Sequence, residues 1–240
     1  MELVFYIIVI CLLVTAAGLF YFKARAKRRM SYINSYQFPD AVSKKVAQTY
    51  PHLNDGELAQ VIKGLREYFH LNNLAAGKMI AMPSQVIDVA WHEFILFTRN
   101  YQTFCKHAFG RFLHHTPAEA MQSQVIAQAG IKHIWRLACL RETINPRSPK
   151  KLPLVFALDA RLKIEDGFSY ELNCMRSGVV SSGSYKGAHT SQSSGAAFCV
   201  THIGCSSDTG FGGGGCSGGS GDSGGLGCGG GGSSCGGGGD

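Results

Sequence analysis

Most signatures that announce an enzyme are missing from this chain. It has no C-x-x-C pair, no H-E-x-x-H, no Ser-His-Asp signature and no phosphate-binding loop, so zinc knuckles, zincin-type proteases, serine hydrolases and P-loop nucleotidases find no support. Although cysteine is present nine times, the odd total without paired spacing argues against a disulfide scaffold. Basic residues form no dense stripe: between Ser31 and Ser177 seventeen Lys/Arg stand against twelve Asp/Glu, spread along the sequence. No nucleic-acid partner is therefore expected, because that would need clustered cations with aromatics interleaved on one face. No alternating, period-two segment outweighs the helical ones either, which disfavours a sheet protein.

Charge is absent altogether from Leu3 to Phe22, twenty residues. As a helix such a run is about 30 Å long, the thickness of a bilayer's hydrocarbon core. Lys23, Arg25, Lys27, Arg28 and Arg29 follow at once, whereas only Glu2 and the amino group precede it. The asymmetry predicts a single membrane span with the N-terminus outside and the bulk of the chain cytoplasmic, in the inner membrane if the source is a bacterium. A cleaved signal peptide is the competing reading, with Thr15-Ala16-Ala17 as the cut, but the basic n-region is missing and apolar residues run on to Phe22.

Three zones follow: an anchor with its basic flank over residues 1–30, a domain over 31–177, and a tail over 178–240. The domain reads as all-α, a compact bundle of five or six helices. A short helix is predicted near Ala41 to Thr49. Another opens at Asn54, where Glu57 stands at the reciprocal capping position and Leu58, Val61, Ile62, Leu65 and Phe69 make an apolar stripe. Pro83 and Ser84 start a third, with a break expected at Arg99-Asn100 and a stop at Gly110. Thr116-Pro117-Ala118-Glu119 is a further capping signature, its helix ending at Gly130, and Ile131 to Thr143 forms the next. Leu152 to Ile164 fits either a buried helix or a strand.

The tail holds twenty-four of the thirty-one glycines and five cysteines, Cys199, Cys205, Cys216, Cys228 and Cys235. It cannot bury enough apolar surface to offset its conformational entropy, which predicts disorder. Cys105 and Cys139 fall on apolar helical faces, where free cysteine behaves as a small hydrophobe.

Candidate chemistry concentrates between Met82 and Pro117, where four of the nine histidines lie. Ile87, Ala90, Trp91, Phe94, Phe97, Tyr101, Phe104, Cys105 and Ala108 define an apolar face. Asp88, His92, Arg99 and Lys106 project together away from it. Asp88 and His92 are four residues apart, a spacing that suits two metal ligands or a carboxylate orienting an imidazole. His114 or His115 supplies a third ligand if the chain folds back, giving a mixed site for zinc or iron. His107 is the remaining histidine of the stretch. The same face is equally what a solvated helix surface looks like.

Asp88-x-x-Trp91-His92, Thr98-Arg99-Asn100-Tyr101 and Phe104-Cys105 together resemble the signature segment of the glycine-rich domain-containing proteins, as does the glycine-rich tail. Many members of that group have a histidine two places after the first, and here that place is Phe94. The resemblance implies kinship and an interaction role, without a reaction. Two functions emerge: a membrane-anchored interaction or scaffold module docking a protein partner at the cytoplasmic face, and a membrane-tethered metalloprotein built on Asp88, His92 and His114 or His115. The sequence leans to the first.

Overall fold

In the computed structural model, which describes residues 2–115, 124–172, 198–200 and 203, the apolar run is the front of a much longer helix. Helix α1 spans Glu2–Ser35, 34 residues. It contains no proline and one glycine, Gly18. None of its most apolar window is buried, and it is long and apolar enough to cross a membrane. Its last turn does something different. Ile33 is fully buried, and Tyr32 packs on Phe104 and His107 with ring centroids 6.0 and 5.1 Å apart.

The final carbonyls of a helix need partners from outside it. Arg66 supplies them, donating through Nη1 to the Ile33 and Asn34 carbonyls at 2.5 and 2.8 Å, while its guanidinium lies 5.1 Å over the Phe38 ring. His70 adds a bond from Nε2 to Asn34 Oδ1 at 2.7 Å. Both belong to α3 (Asp55–Leu74), the second clear helix of the sequence. Its start is the expected capping box: Asn54 Oδ1 accepts from the Glu57 amide at 3.0 Å, and Glu57 Oε2 accepts from the Asn54 amide at 2.9 Å.

Helix α3 is the centre of the bundle. It packs against α1, α2 (Asp40–Thr49), α4 (Gln85–Leu96), α6 (Gln124–Arg141) and α7 (Leu154–Arg161). Gly64 permits the closest of these approaches, since a Cβ there would come 2.9 Å from both Ile87 Cδ1 and Leu158 Cδ2. Phe69 lies among Phe38, Trp91, Phe94, Phe104 and Phe109, nearest to Phe104 at 4.8 Å between centroids. Trp91, Phe94, Tyr101, Phe104 and Phe109 of the 82–117 stretch are thus part of the core of the domain. Arg141 of α6 grips Glu67 with two parallel bonds, one of them Nη2 to Oε2 at 2.9 Å.

The helical class is as expected, with seven helices and two very short strands among the described residues. Leu154–Arg161 resolves the ambiguous apolar segment as α7. Two boundaries differ from the sequence reading. The break between α4 and α5 (Thr98–Ala108) falls at Phe97, whose ψ of 62° leaves the helical region, and not at Arg99-Asn100. Gly130 does not end a helix but sits within α6 against the segment that precedes α4, where a Cβ would come 3.0 Å from the Ala81 amide nitrogen. Thr116-Pro117 and the residues up to Ser123 lie outside the described residues, as does most of the tail expected to be disordered.

Part of that tail is described, and it is packed. Phe198–Cys199 (β2) pairs in parallel with Tyr170–Glu171 (β1), Tyr170 opposite Phe198, and Val200 and Ile203 are buried in the core. These residues lie beyond the boundary drawn at Ser177. Val200 and Ile203 are large apolar side chains in a stretch with few others, and burying them removes the reason to expect disorder there.

The clamp on α1 has a pH signature. Burial, helped by the guanidiniums of Arg141 and Arg66 and opposed by Glu67, pushes His70 down to about 4. Between that value and the ordinary imidazole pKa of about 6.5 the unfolded chain takes up a proton that the fold refuses, so stability is intact above the upper limit and declines as pH falls through the window. The full loss is about 3 kcal/mol. Urea midpoints of the detergent-solubilised full chain should therefore drop between about pH 7.5 and about pH 5, and His70→Gln should show a smaller drop than the parent.

Candidate metal centre

The position of α4 is set by a carboxylate that sequence reasoning passed over. Asp159 on α7 is buried and accepts four bonds: from Ser84 Oγ at 2.6 Å, from the Gln85 and Val86 amides at 2.7 and 3.2 Å, and from the Phe168 amide at 2.9 Å. Burial pushes its pKa up, and the four donors pull the other way. Two of those donors are amides of the first turn of α4 that have no partner within the helix. Ser84 caps the same turn through Oγ to the Ile87 amide at 3.4 Å. Asp88, one residue on, thereby acquires a fixed place at the head of α4, and His92 follows it one turn later. A lone acid in the apolar run from Leu154 to Ile164 was the available signal.

The return of the chain is fixed by Tyr101 on α5. Helix α5 closes at Gly110, which has a φ of 70° as anticipated for a left-handed stop. The chain then passes back under α4. Trp91 Nε1 donates to Tyr101 Oη at 3.1 Å, and the hydroxyl in turn donates to the Leu113 carbonyl at 2.5 Å. Trp91, Tyr101 and Leu113 are all buried. The segment is extended here, so side chains alternate. Leu113 points in, His114 points out with its ring 4.8 Å from Phe112, and His115 points in again.

His115 arrives over Asp88. Its Nε2 is 2.9 Å from Asp88 Oδ1, and His92 Nδ1 is 3.3 Å from Asp88 Oδ2. The two imidazole centroids are 4.1 Å apart, and His115 also meets Trp91 edge-on at 4.5 Å. One ligand atom from each of Asp88, His92 and His115 lies within 4.8 Å of the others. Ligands about 2.0 to 2.1 Å from a zinc ion stand about 3.3 Å apart in a tetrahedron, a spacing of the same order as that within this cluster. Exposure grades across the cluster, with side chains 49% accessible at His92, 21% at Asp88 and 10% at His115. The inner wall is apolar, and the outer face is open to solvent and to an exchangeable ligand.

Of the four expected ligands, the structure brings together Asp88, His92 and His115, and leaves His114 outside. His107 is also elsewhere, packed on Tyr32. Arg99 and Lys106 do not belong with Asp88 and His92 on one continuous surface, because the break at Phe97 ends the projection that grouped them. Phe94, two places after His92, is fully buried among Phe38, Phe69, Tyr101 and Phe104 and takes no part.

The family model described as UCP032817-like matches residues 28–202. The chain belongs to the UCP032817-like family. The match begins in the basic flank of α1, takes in every ligand of the cluster, and extends to the Phe198–Cys199 strand. Its description states no activity. Among curated proteins and solved structures nothing matches the chain. For this UCP032817-like protein the chemistry therefore has to be argued from the cluster itself.

The loop carrying His115 depends on one hydroxyl. Tyr101→Phe removes it and leaves both the Trp91 N–H and the Leu113 carbonyl buried without a partner, at a cost of about 1 to 3 kcal/mol. Thermal unfolding of the full chain should register that loss. Tyr101→Phe should also weaken any metal affinity of the cluster by about 10- to 100-fold, since ligand orientation comes from the surrounding bonds.

Proposed function

We propose that this is a membrane-anchored metal-binding protein whose site is Asp88, His92 and His115. The observation that carries the proposal is the meeting of two imidazoles and a carboxylate from different parts of the chain, with their ligand atoms within 4.8 Å of one another. An Asp and a His at i and i+4 are routine on a helix. A second imidazole delivered by a buried tyrosine is not part of that routine. Two nitrogen ligands and one oxygen suit zinc or iron(II), and three protein ligands leave coordination positions open. A metal held there would act as a Lewis acid or exchange small ligands at the solvent face.

The resemblance to the glycine-rich domain-containing proteins joins this proposal. Asp88 and His92 of the shared segment are two of the ligands, Trp91 underlies the third, and the Tyr101 hydroxyl holds the loop that brings it. An interaction role at the cytoplasmic face, the preference of the sequence alone, is supported by the strongly exposed Leu96 and Leu140 on the domain, and is compatible with a metal.

Metal analysis of the full chain, purified without an affinity tag, should find about one zinc or iron per chain. His92→Ala and His115→Ala should each abolish it, and His114→Ala should leave it unchanged. Chains devoid of metal after supplementation with zinc and with iron(II) would overturn the reading, and so would equal losses at His114 and His115.

The anchor reading rests on the exposed apolar front of α1 and the five cations after it. Orientation follows from the positive-inside rule. A reporter fused after Asp240 should behave as cytoplasmic; alkaline phosphatase activity from that fusion would reverse the topology.

A further inference from the structure

Two arginines of α1 meet the loop that closes α5, and a third arginine belongs to that loop. A side chain added at Gly110 would collide with the Arg29 guanidinium and would lie 2.9 Å from Arg25 Nη2. Arg25 and Arg29 are one turn apart on α1, so both reach the same point, the loop that closes α5. Arg111 is the next residue of that loop, and its guanidinium extends back toward Gly77, with Nη2 3.6 Å from where a Cβ would be. Gly77 and Gly110 both have positive φ, 95° and 70°, and their missing side chains leave the room that the guanidiniums occupy.

Among the described residues no carboxylate pairs with any of the three, whereas Asp88, Glu67 and Glu142 have partners elsewhere. The Arg29 pKa is lowered by partial burial first and by Arg25 and Arg111 next, so the three charges act on one another. The end of α5 offers some compensation, but a helix C-terminus is equivalent to about half an elementary negative charge. Three full positive charges are left mostly unanswered.

Height along α1 identifies what answers them. Arg25 and Arg29 are three and seven residues past Phe22, so their backbones stand about 4.5 and about 10.5 Å beyond the apolar run at 1.5 Å per residue, and their long side chains span the outer part of the headgroup layer between them. The headgroup layer occupies about 5 to 8 Å on each side of the hydrocarbon core. We propose that Arg25, Arg29 and Arg111 form a binding site for the phosphate of an anionic phospholipid headgroup, which docks the domain against the membrane surface. Guanidinium forks match phosphate oxygens with paired bonds. Arg111 separates this from ordinary positive-inside charge, because it comes from the folded domain and not from the flank of the span. The inference rests on α1 being inserted in a bilayer.

Native mass spectrometry of the full chain in detergent, supplied with equal phosphatidylglycerol and phosphatidylcholine, tests it. The parent should retain phosphatidylglycerol selectively. Arg111→Gln should reduce that retention by about tenfold, Arg111→Lys should lose less, and Arg28→Gln, which removes the same charge outside the cluster, should change little. Equal losses in Arg111→Gln and Arg28→Gln would overturn the site, leaving only diffuse attraction. Inorganic phosphate retained in place of the lipid, with the same dependence on Arg111, would overturn the lipid assignment. Alkaline extraction of membranes keeps the span separate. Parent and Arg111→Gln chains should both stay in the pellet, and release of the parent would overturn insertion and the headgroup with it.

Discussion

The final carbonyls of a helix have no partners within it, and the end of α1 is placed where α3 supplies them. Arg66 does so, His70 adds a bond to the Asn34 side chain, and the consequences spread outward. Because α3 is committed to α1 on one side, its remaining faces are free for α2, α4, α6 and α7, with Gly64 allowing the tightest contact. Phe69, one residue before His70, then sits at the centre of the aromatic core. The cap on α1 and the core of the domain are thus one piece of architecture.

What could be read from the sequence was what is local. The Asn54 and Glu57 box, the Ser84 start and the Gly110 stop depend on a few neighbouring residues, and each stands where its chemistry demands. Trp91 and Phe94 on the apolar face followed from periodicity alone. Gly130 failed for a physical reason. Glycine was taken as a helix end, a statement about backbone freedom, whereas in the fold it matters for a lacking Cβ against Ala81, a statement about a distant segment. The break at Phe97 failed similarly, since Arg99-Asn100 is the less helical pair but Phe97 is where the chain turns.

The candidate site divides along the same line. Asp88 and His92 were visible as a pair because both lie on one helix. The third ligand required a tertiary bond between Tyr101 and Leu113, and no spacing rule contains that. Yet the choice between His114 and His115 was within reach. In an extended segment, the residue two after a buried leucine faces the same way as the leucine, and that residue is His115. Asp159 could not be assigned by any such rule, for its four donors come from two separate parts of the chain, residues 84–86 and Phe168.

The continuity of α1 has a mechanical meaning. Its 34 residues pass from the apolar run to the buried Ile33 without proline, so no swivel separates the two ends. A helix inserted in a bilayer sets its tilt partly by matching its apolar length to the local thickness. In the proposed membrane setting, a change of tilt would pass to the whole bundle, for no flexible neck would absorb it. The thickness of the surrounding lipid would then set the attitude of the face at His92, a lever arm with the membrane as its fulcrum.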